Sequence, residues 1–193
     1  MTRRWTLRLL AGLAAGAVVL SGCSERQEAA DTLPEADATP SASEPELPPL
    51  GPPDLPMPAE ARAQDAAGAE AFVRYYIDLI NRTSSVMDAA PLREFSDGCT
   101  ECNRIASNTE VAAANGQVFR DGEISIIQMG KPLIADGTAQ LALRVDQARF
   151  VVVDASGTSV DGGSEAYTNI SGGVALEWNS SDMTWSMTQL TFG

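Results

Sequence analysis

Three cysteines, Cys23, Cys99 and Cys102, are the residues whose type and spacing most directly suggest chemistry in this sequence. Cys99 and Cys102 are separated by two residues in the segment CTEC, and two thiols at this spacing readily form a disulfide in an oxidising compartment. Closing so short a loop contributes about 2 kcal/mol of stability. Alternatively, Cys99 at a helix start acts as an activated redox thiol. Helical sequence before the pair and the acidic Glu101 within it favour the structural bridge.

The absence of histidine limits the reactions open to the chain. Ser-His-Asp and Cys-His catalysis both need an imidazole base, and histidine is also the commonest protein metal ligand. The acidic residues are scattered, and nothing approaches the DxDxDG spacing of a calcium loop. The sequence therefore singles out no catalytic residue, no metal site and no cofactor.

The N-terminal segment before Cys23 is typical of a secretory signal. Three arginines among the first eight residues precede an apolar stretch from Leu9 to Leu20. That stretch is shorter than the about 20 apolar residues that a membrane-spanning helix needs. We therefore expect residues 1–22 to be a signal peptide that is removed, while the segment TRRWTLR, which also looks like a twin-arginine signal, leaves the export route open.

The four residues Leu20-Ser21-Gly22-Cys23 resemble the lipobox of bacterial lipoproteins. In that motif the cysteine sulfur is alkylated with diacylglycerol and the peptide before it is cut, so the resemblance implies lipidation of Cys23. Two acyl chains, at about 0.8 kcal/mol per buried methylene, give stable anchoring. Cys23 is therefore the predicted attachment to the extracytoplasmic face of the cell membrane.

The chain after the predicted anchor is acidic and begins with a proline-rich segment. The formal net charge is −13, and because nucleic acid and anionic headgroups both attract basic patches, we expect binding to neither. Residues 23–58 hold nine of the eleven prolines and eight acidic residues. Such a composition lacks the apolar groups that offset ordering entropy, so we expect a disordered tether there. Residues 59–193 are long enough for one folded domain.

Three helices are predicted in the first half of this domain. The first lies in AEARAQDAAGAEAFVRYYIDLINR, where apolar residues recur at helical spacing and predict one buried stripe. A short second helix begins near Pro91, and a third lies in CTECNRIASNTEVAAANG, with Gly116 as its end. The stripe of the first helix consists of Ala66, Ala69, Phe72, Val73, Tyr76, Ile77 and Ile80.

After Gly116 the apolar period changes to two, which predicts strands. The predicted strands lie in EISIIQM, AQLALRV, ARFVVVD, SEAYTNISGGVALEW and MTWSMTQLTF. The pair Gly172-Gly173 is expected to mark a bulge or a sharp bend that lets a sheet curl round a helix. The predicted fold class is therefore α+β, with three N-terminal helices packed on a strongly curved antiparallel sheet.

The order of these elements is similar to the NTF2-like (SnoaL-like) cone fold. More closely, GAEAFVRYYIDLIN, PLREFSDGCTEC and VALEW resemble an actinobacterial lipoprotein family of unknown function, DUF6318. The resemblance implies a fold but no assigned activity. Cone folds often hold a cavity between the first helix and the sheet, and Phe72, Tyr76, Trp178 and Trp185 are candidates for lining it. The pattern favours core positions for Tyr76 and the two tryptophans.

Some relatives of the cone fold are enzymes of the ketosteroid-isomerase kind, which use an Asp base with a Tyr or a protonated Asp in an apolar pocket. Residues of these types stand at Tyr75, Tyr76, Asp78, Asp146 and Tyr167. The helical stripe places Asp78 outward, and strand alternation places Asp146 on the polar side of its strand. The sequence therefore predicts no carboxylate inside the cone.

These observations favour a non-catalytic, lipid-anchored module that binds a partner protein or a small apolar ligand. A cavity enzyme of the isomerase kind is the first alternative. A thiol redox protein that depends on Cys99 and Cys102 is the second. The sequence predicts neither the identity of a ligand nor an oligomeric state.

Overall fold

A computed structural model describes residues 47–193, apart from the side chain of Asp161. Residues 46–193 form one compact unit with its own hydrophobic core. The predicted signal peptide, Cys23 and the first part of the predicted tether lie outside the described residues. Within residues 47–193, every helix is too short or too polar to cross a membrane.

The three predicted helices are present. They are α1 (Ala66–Val86), α2 (Ala90–Glu94) and α3 (Thr100–Ala114), preceded by a short 3₁₀ helix at Ala59–Arg62. Asp65 caps α1, because its carboxylate accepts a hydrogen bond from the backbone N–H of Gly68 at 2.8 Å. Pro91 stands in the first turn of α2, where its missing N–H costs nothing.

Eight strands follow the helices, and they form two antiparallel sheets. The strands are β1 (Val118–Asp121), β2 (Ile124–Met129), β3 (Leu133–Ala135), β4 (Thr138–Gln147), β5 (Phe150–Val153), β6 (Ser159–Ser164), β7 (Tyr167–Asn179) and β8 (Thr184–Phe192). The larger sheet has the order β2-β4-β7-β8, with β3 also paired to β4, and the smaller sheet has the order β1-β5-β6. The α+β class is confirmed, and the strands expected in one curved sheet are shared between two.

The glycine pair in β7 does not interrupt the strand. Gly172 pairs with Leu143 and Gly173 with Ala142 in regular register, and the bulge towards β8 lies further along, between Ala175 and Leu176. A Cβ on Gly172 would stand 2.7 Å from the carbonyl oxygen of Thr191. The expectation of a bulge or bend at the pair was therefore wrong: Gly172 is needed because β8 approaches β7 too closely for a side chain.

The folded domain begins earlier than the sequence indicates, because residues 47–58 pack on its surface. We call these residues the N-terminal strap. Met57 is only 8% exposed, and Leu50 and Leu55 pack against the same core. The backbone N–H of Met57 donates to the carbonyl of Leu50 at 2.8 Å, which closes the strap into a loop. The boundary at residue 58 is corrected accordingly, since a few apolar side chains among the prolines suffice to hold this segment.

The strap also explains why α1 is buried over more of its surface than the predicted stripe. Tyr75 and Leu79 are buried in addition to the stripe residues from Ala69 onwards, whereas Ala66 is exposed. The hydroxyl of Tyr75 donates to the carbonyl of Leu55 at 3.3 Å, so the strap covers this side of the helix. Helix α1 is thus held between the sheet and the strap.

Candidate ligand cleft

The interior between α1 and the larger sheet is filled by side chains. Phe72, Tyr76 and Trp185 are each 0% exposed. The hydroxyl of Tyr76 donates to the carbonyl of Leu92 at 3.1 Å, and burial raises the pKa of Tyr76 to about 12. The indole N–H of Trp185 donates to the carbonyl of Ala63 at 2.9 Å. These large side chains are core residues whose polar tips are already bound.

The expectation that Phe72, Tyr76, Trp178 and Trp185 line a cavity is therefore corrected. None of the four lines the cleft that lies between α3 and the smaller sheet. Trp178 is half-buried and packs edge-on against Trp185, with the ring centres 5.3 Å apart. These closely packed rings fill the space between α1 and the larger sheet. This agrees with the core positions that the sequence pattern favoured for Tyr76 and the two tryptophans.

The residues considered for acid-base chemistry also lie outside the cleft. Asp146 accepts a hydrogen bond from the backbone N–H of Asn169 at 2.7 Å and so fastens β4 to β7. Asp78 is exposed on α1, where partial burial and the nearby Glu123 carboxylate raise its pKa. Tyr167 is exposed. In these positions the residues do not converge on a common site.

The cleft lies between α3 and the smaller sheet, and the C-terminal half of α1 contributes to one wall. Its volume is about 550 Å³, within the range of small-molecule sites. Its apolar surface comes from all three of these elements, and the polar groups of α3 and β1 stand nearer to solvent. The main apolar lining residues are Ile80, Ile105, Ala112, Phe119, Phe150 and Val152.

Two phenylalanines form one wall of the cleft because of a close backbone approach. Phe119 on β1 and Phe150 on β5 meet edge-to-face, with ring centres 5.9 Å apart. Gly122 follows β1 with a φ of +93°, and a Cβ there would stand 2.6 Å from the Cβ of Phe150. Glycine is therefore required for the chain to turn from β1 to β2 beside this ring.

Charged groups of the cleft are few, and the one cation is already paired. Arg104 Nε lies 2.8 Å from Glu101 Oε2 within α3, and this hydrogen bond raises the pKa of the Arg104 guanidinium. The carboxylate of Asp121 stands at the end of β1, where its φ of 61° is a left-handed turn conformation. Since side chains alternate along a strand, Phe119 and Asp121 share the cleft face while Arg120 points away.

The disulfide between Cys99 and Cys102 is present and anchors the start of α3. The backbone N–H of Cys102 donates to Cys99 Sγ at 3.2 Å, so Cys99 also serves as the helix N-cap. Both cysteines are almost completely buried, at 0% and 1% exposed. The bridge therefore holds the helix that supplies much of the cleft.

Sequence reasoning did not find the cleft residues. The smaller sheet is built from short strands, and β1 and β6 were not predicted at all. Asp121-Gly122 is a signal that was available, because an Asp-Gly pair marks a tight turn between strands. Among the described residues, no group of three or more Cys, Asp or Glu side chains is placed to hold a metal ion.

Several solved structures share the arrangement of helices and strands. The intermembrane space region of the chloroplast protein ARC6 aligns with a TM-score of 0.50 at 13% identity, covering 66% of this chain and 95% of that one. At lower similarity, an NTF2-like superfamily protein from Salmonella enterica serovar Typhimurium aligns with a TM-score of 0.43 at 10% identity, covering 67% and 92% of the two chains. Aln2 from a Streptomyces species aligns with a TM-score of 0.39 at 15% identity, covering 63% and 85%.

The chain has an α+β fold, with three helices packed on antiparallel sheets. Likeness at these identities concerns the fold alone. None of the curated proteins matches the sequence significantly. A profile of DUF6318, described as a family of unknown function, matches residues 48–191 and so begins within the strap. Because this match spans most of the sequence, the chain belongs to the family DUF6318.

Proposed function

We propose that this protein is a lipid-anchored extracytoplasmic lipoprotein whose NTF2-like domain binds a small ligand in the cleft without transforming it. The observation that carries the proposal is the cleft itself, which is about 550 Å³ in volume and is lined by both apolar and polar side chains. Sites for small organic molecules combine these two features, because apolar contact supplies affinity and a few polar groups fix orientation.

The polar groups of the cleft suit binding better than acid-base catalysis. Both oxygens of the Glu101 carboxylate accept hydrogen bonds from the Arg104 guanidinium, so these two side chains are engaged with each other. The hydroxyl of Thr109 donates to the carbonyl of Ile105 at 3.1 Å, so its proton is engaged within the helix. Asp121 is exposed to water. Recognition of a ligand needs no further group beyond those present.

The proposed location rests on the N-terminal sequence and agrees with the disulfide. Cys23 follows a signal-like segment in a lipobox-like tetrad, and disulfides persist mainly in oxidising compartments. A bridge between Cys99 and Cys102 is therefore in keeping with export.

A ligand titration tests the cleft. The chain from Ser24 to Gly193 contains the whole compact unit, and 1-naphthylmethanol is a neutral probe with a flat apolar body. We expect saturable binding by ligand-detected nuclear magnetic resonance. Asn108→Trp, which places a large ring at the rim of the cleft, should abolish that binding. Ala113→Trp is the matched control, because Ala113 is exposed on the same helix and does not line the cleft. Failure of the wild type to bind, or equal loss in both variants, would overturn the proposal.

Fractionation of cells tests the anchor. Wild-type protein should be found with membranes, and Cys23→Ser should be released or remain unprocessed. Ser21→Ala is the control, because it keeps a small residue in the tetrad and leaves the sulfur in place. Membrane association of Cys23→Ser at the wild-type level, with normal processing, would contradict lipidation at this residue.

A further inference from the structure

We infer that the cleft selects amphipathic ligands with an apolar body and a positively charged head, which is held at Asp121. This inference rests on the proposed function, since it names the class of ligand for the same cleft. Its first support is the shape of the apolar surface. Phe119 and Phe150 offer two ring surfaces at one wall, and Ile80 and Val152 also line the cleft and are almost fully buried. A compact ring system fits these contacts.

The charge balance of the cleft is the second support. Among the side chains that the structure describes, three ionisable ones line it, namely Glu101, Arg104 and Asp121. The Glu101 carboxylate lies against the Arg104 guanidinium through two hydrogen bonds, so this pair contributes little net charge. Of these three described groups, Asp121 is the one that forms no ion pair. An anionic ligand would be repelled by the Asp121 carboxylate, and the Arg104 guanidinium is already paired with Glu101.

The charged side chains near the cleft do not neutralise the negative charge of Asp121. Arg93 on α2 donates two hydrogen bonds of 2.8 Å to the carboxylate of Glu110 on α3. Arg120 neighbours Asp121 in sequence but points to the opposite face of β1. The chain as a whole carries a formal net charge of −13, so the longer-range potential also favours cations.

A series of three probes of similar shape tests the inference with the chain from Ser24 to Gly193. The probes are 1-naphthylmethylammonium, 1-naphthylmethanol and 1-naphthoate, which differ mainly in the charge of the polar end. We expect the cation to bind most tightly and the anion most weakly, with at least about a tenfold difference between their dissociation constants, as a single nearby carboxylate produces. Raising the salt concentration should narrow the difference.

The variant Asp121→Asn assigns the effect to one carboxylate. Asparagine tolerates the left-handed backbone at this position, so the turn is kept. Asp136→Asn is the matched control, because Asp136 is also an exposed, left-handed residue before a glycine, at a turn outside the cleft. Asp121→Asn should bring the three dissociation constants together, and Asp136→Asn should leave the preference unchanged.

The outcomes separate this inference from the proposed function. If all three probes bind with equal affinity, or the anion binds most tightly, the cleft is a ligand site and the charge preference is wrong. If the preference persists in Asp121→Asn, the assignment to this carboxylate is wrong. If no probe binds, the proposed function fails together with the inference.

Discussion

Replacing Met57 by alanine tests whether the N-terminal strap belongs to the folded domain. Met57 is 8% exposed, lies in the hydrophobic core and accepts a weak hydrogen bond at its sulfur from Thr184 Oγ1 at 3.2 Å. Truncation of a buried methionine to alanine costs about 2–5 kcal/mol, from lost burial and the cavity left behind. Because Met57 lies near the domain surface, where neighbours collapse more easily, we expect a value near the lower end of this range.

The assay is urea unfolding of the chain from Ser24 to Gly193, followed by tryptophan fluorescence. With a slope of about 1.5 kcal/mol per M, a loss of about 2–3 kcal/mol lowers the midpoint by about 1.5–2 M and leaves the slope unchanged. Met183→Ala is the control, because Met183 is 45% exposed in the β7–β8 turn and should cost less than about 0.5 kcal/mol. Equal midpoints for wild type and Met57→Ala would refute the packing of the strap and restore a tether that ends at residue 58.

Three further tests probe contacts between elements of the folded domain. Asn81→Ala removes two hydrogen bonds to the first residue of β2 and should cost about 1–3 kcal/mol, seen as faster amide exchange there. Gly172→Ala should lower the melting temperature more than Gly173→Ala, because only the first Cβ meets a backbone oxygen, at 2.7 Å. Arg82 lowers the pKa of Asp54 through hydrogen bonds. The stability of wild type relative to Asp54→Asn should therefore be full above about pH 4 and fall as acid protonates the folded carboxylate, whereas a pH-independent difference would contradict this pairing.

Local patterns were sufficient to predict the helices and the longest strands. The stripe from Ala69 to Ile80 is buried as its spacing indicated. Strand β4 alternates between buried and exposed residues along most of its length. These predictions succeeded because each element shows its buried face in its own residues, with no need of a distant partner.

The strap was missed because its composition resembles that of a disordered linker. Its stability depends on three apolar side chains and on partners far along the sequence, such as Arg82 for Asp54 at 2.8 Å and Thr184 for Met57. Propensity and hydropathy are averaged over windows and do not register such contacts. A proline-rich segment that packs on a helix therefore looks like one that does not.

The cleft was missed for a related reason. The cleft lies between α3 and the strands β5 and β6, which follow α3 by more than thirty residues in the sequence. No single segment therefore shows the pattern of its lining residues. The candidates chosen from the sequence were large aromatic residues, which lie in the hydrophobic core or pack against it. Phe119 and Phe150 are equally aromatic, but only the fold brings their rings together.

Mapping of amide chemical shifts during titration with 1-naphthylmethanol tests the central claim, that the cleft between α3 and the smaller sheet is the ligand site. We expect saturable shifts concentrated in residues 105–112 of α3, at Phe119 and across β5, with little change in the β7–β8 turn. Saturable shifts confined to another surface, or the absence of saturation anywhere, would contradict it.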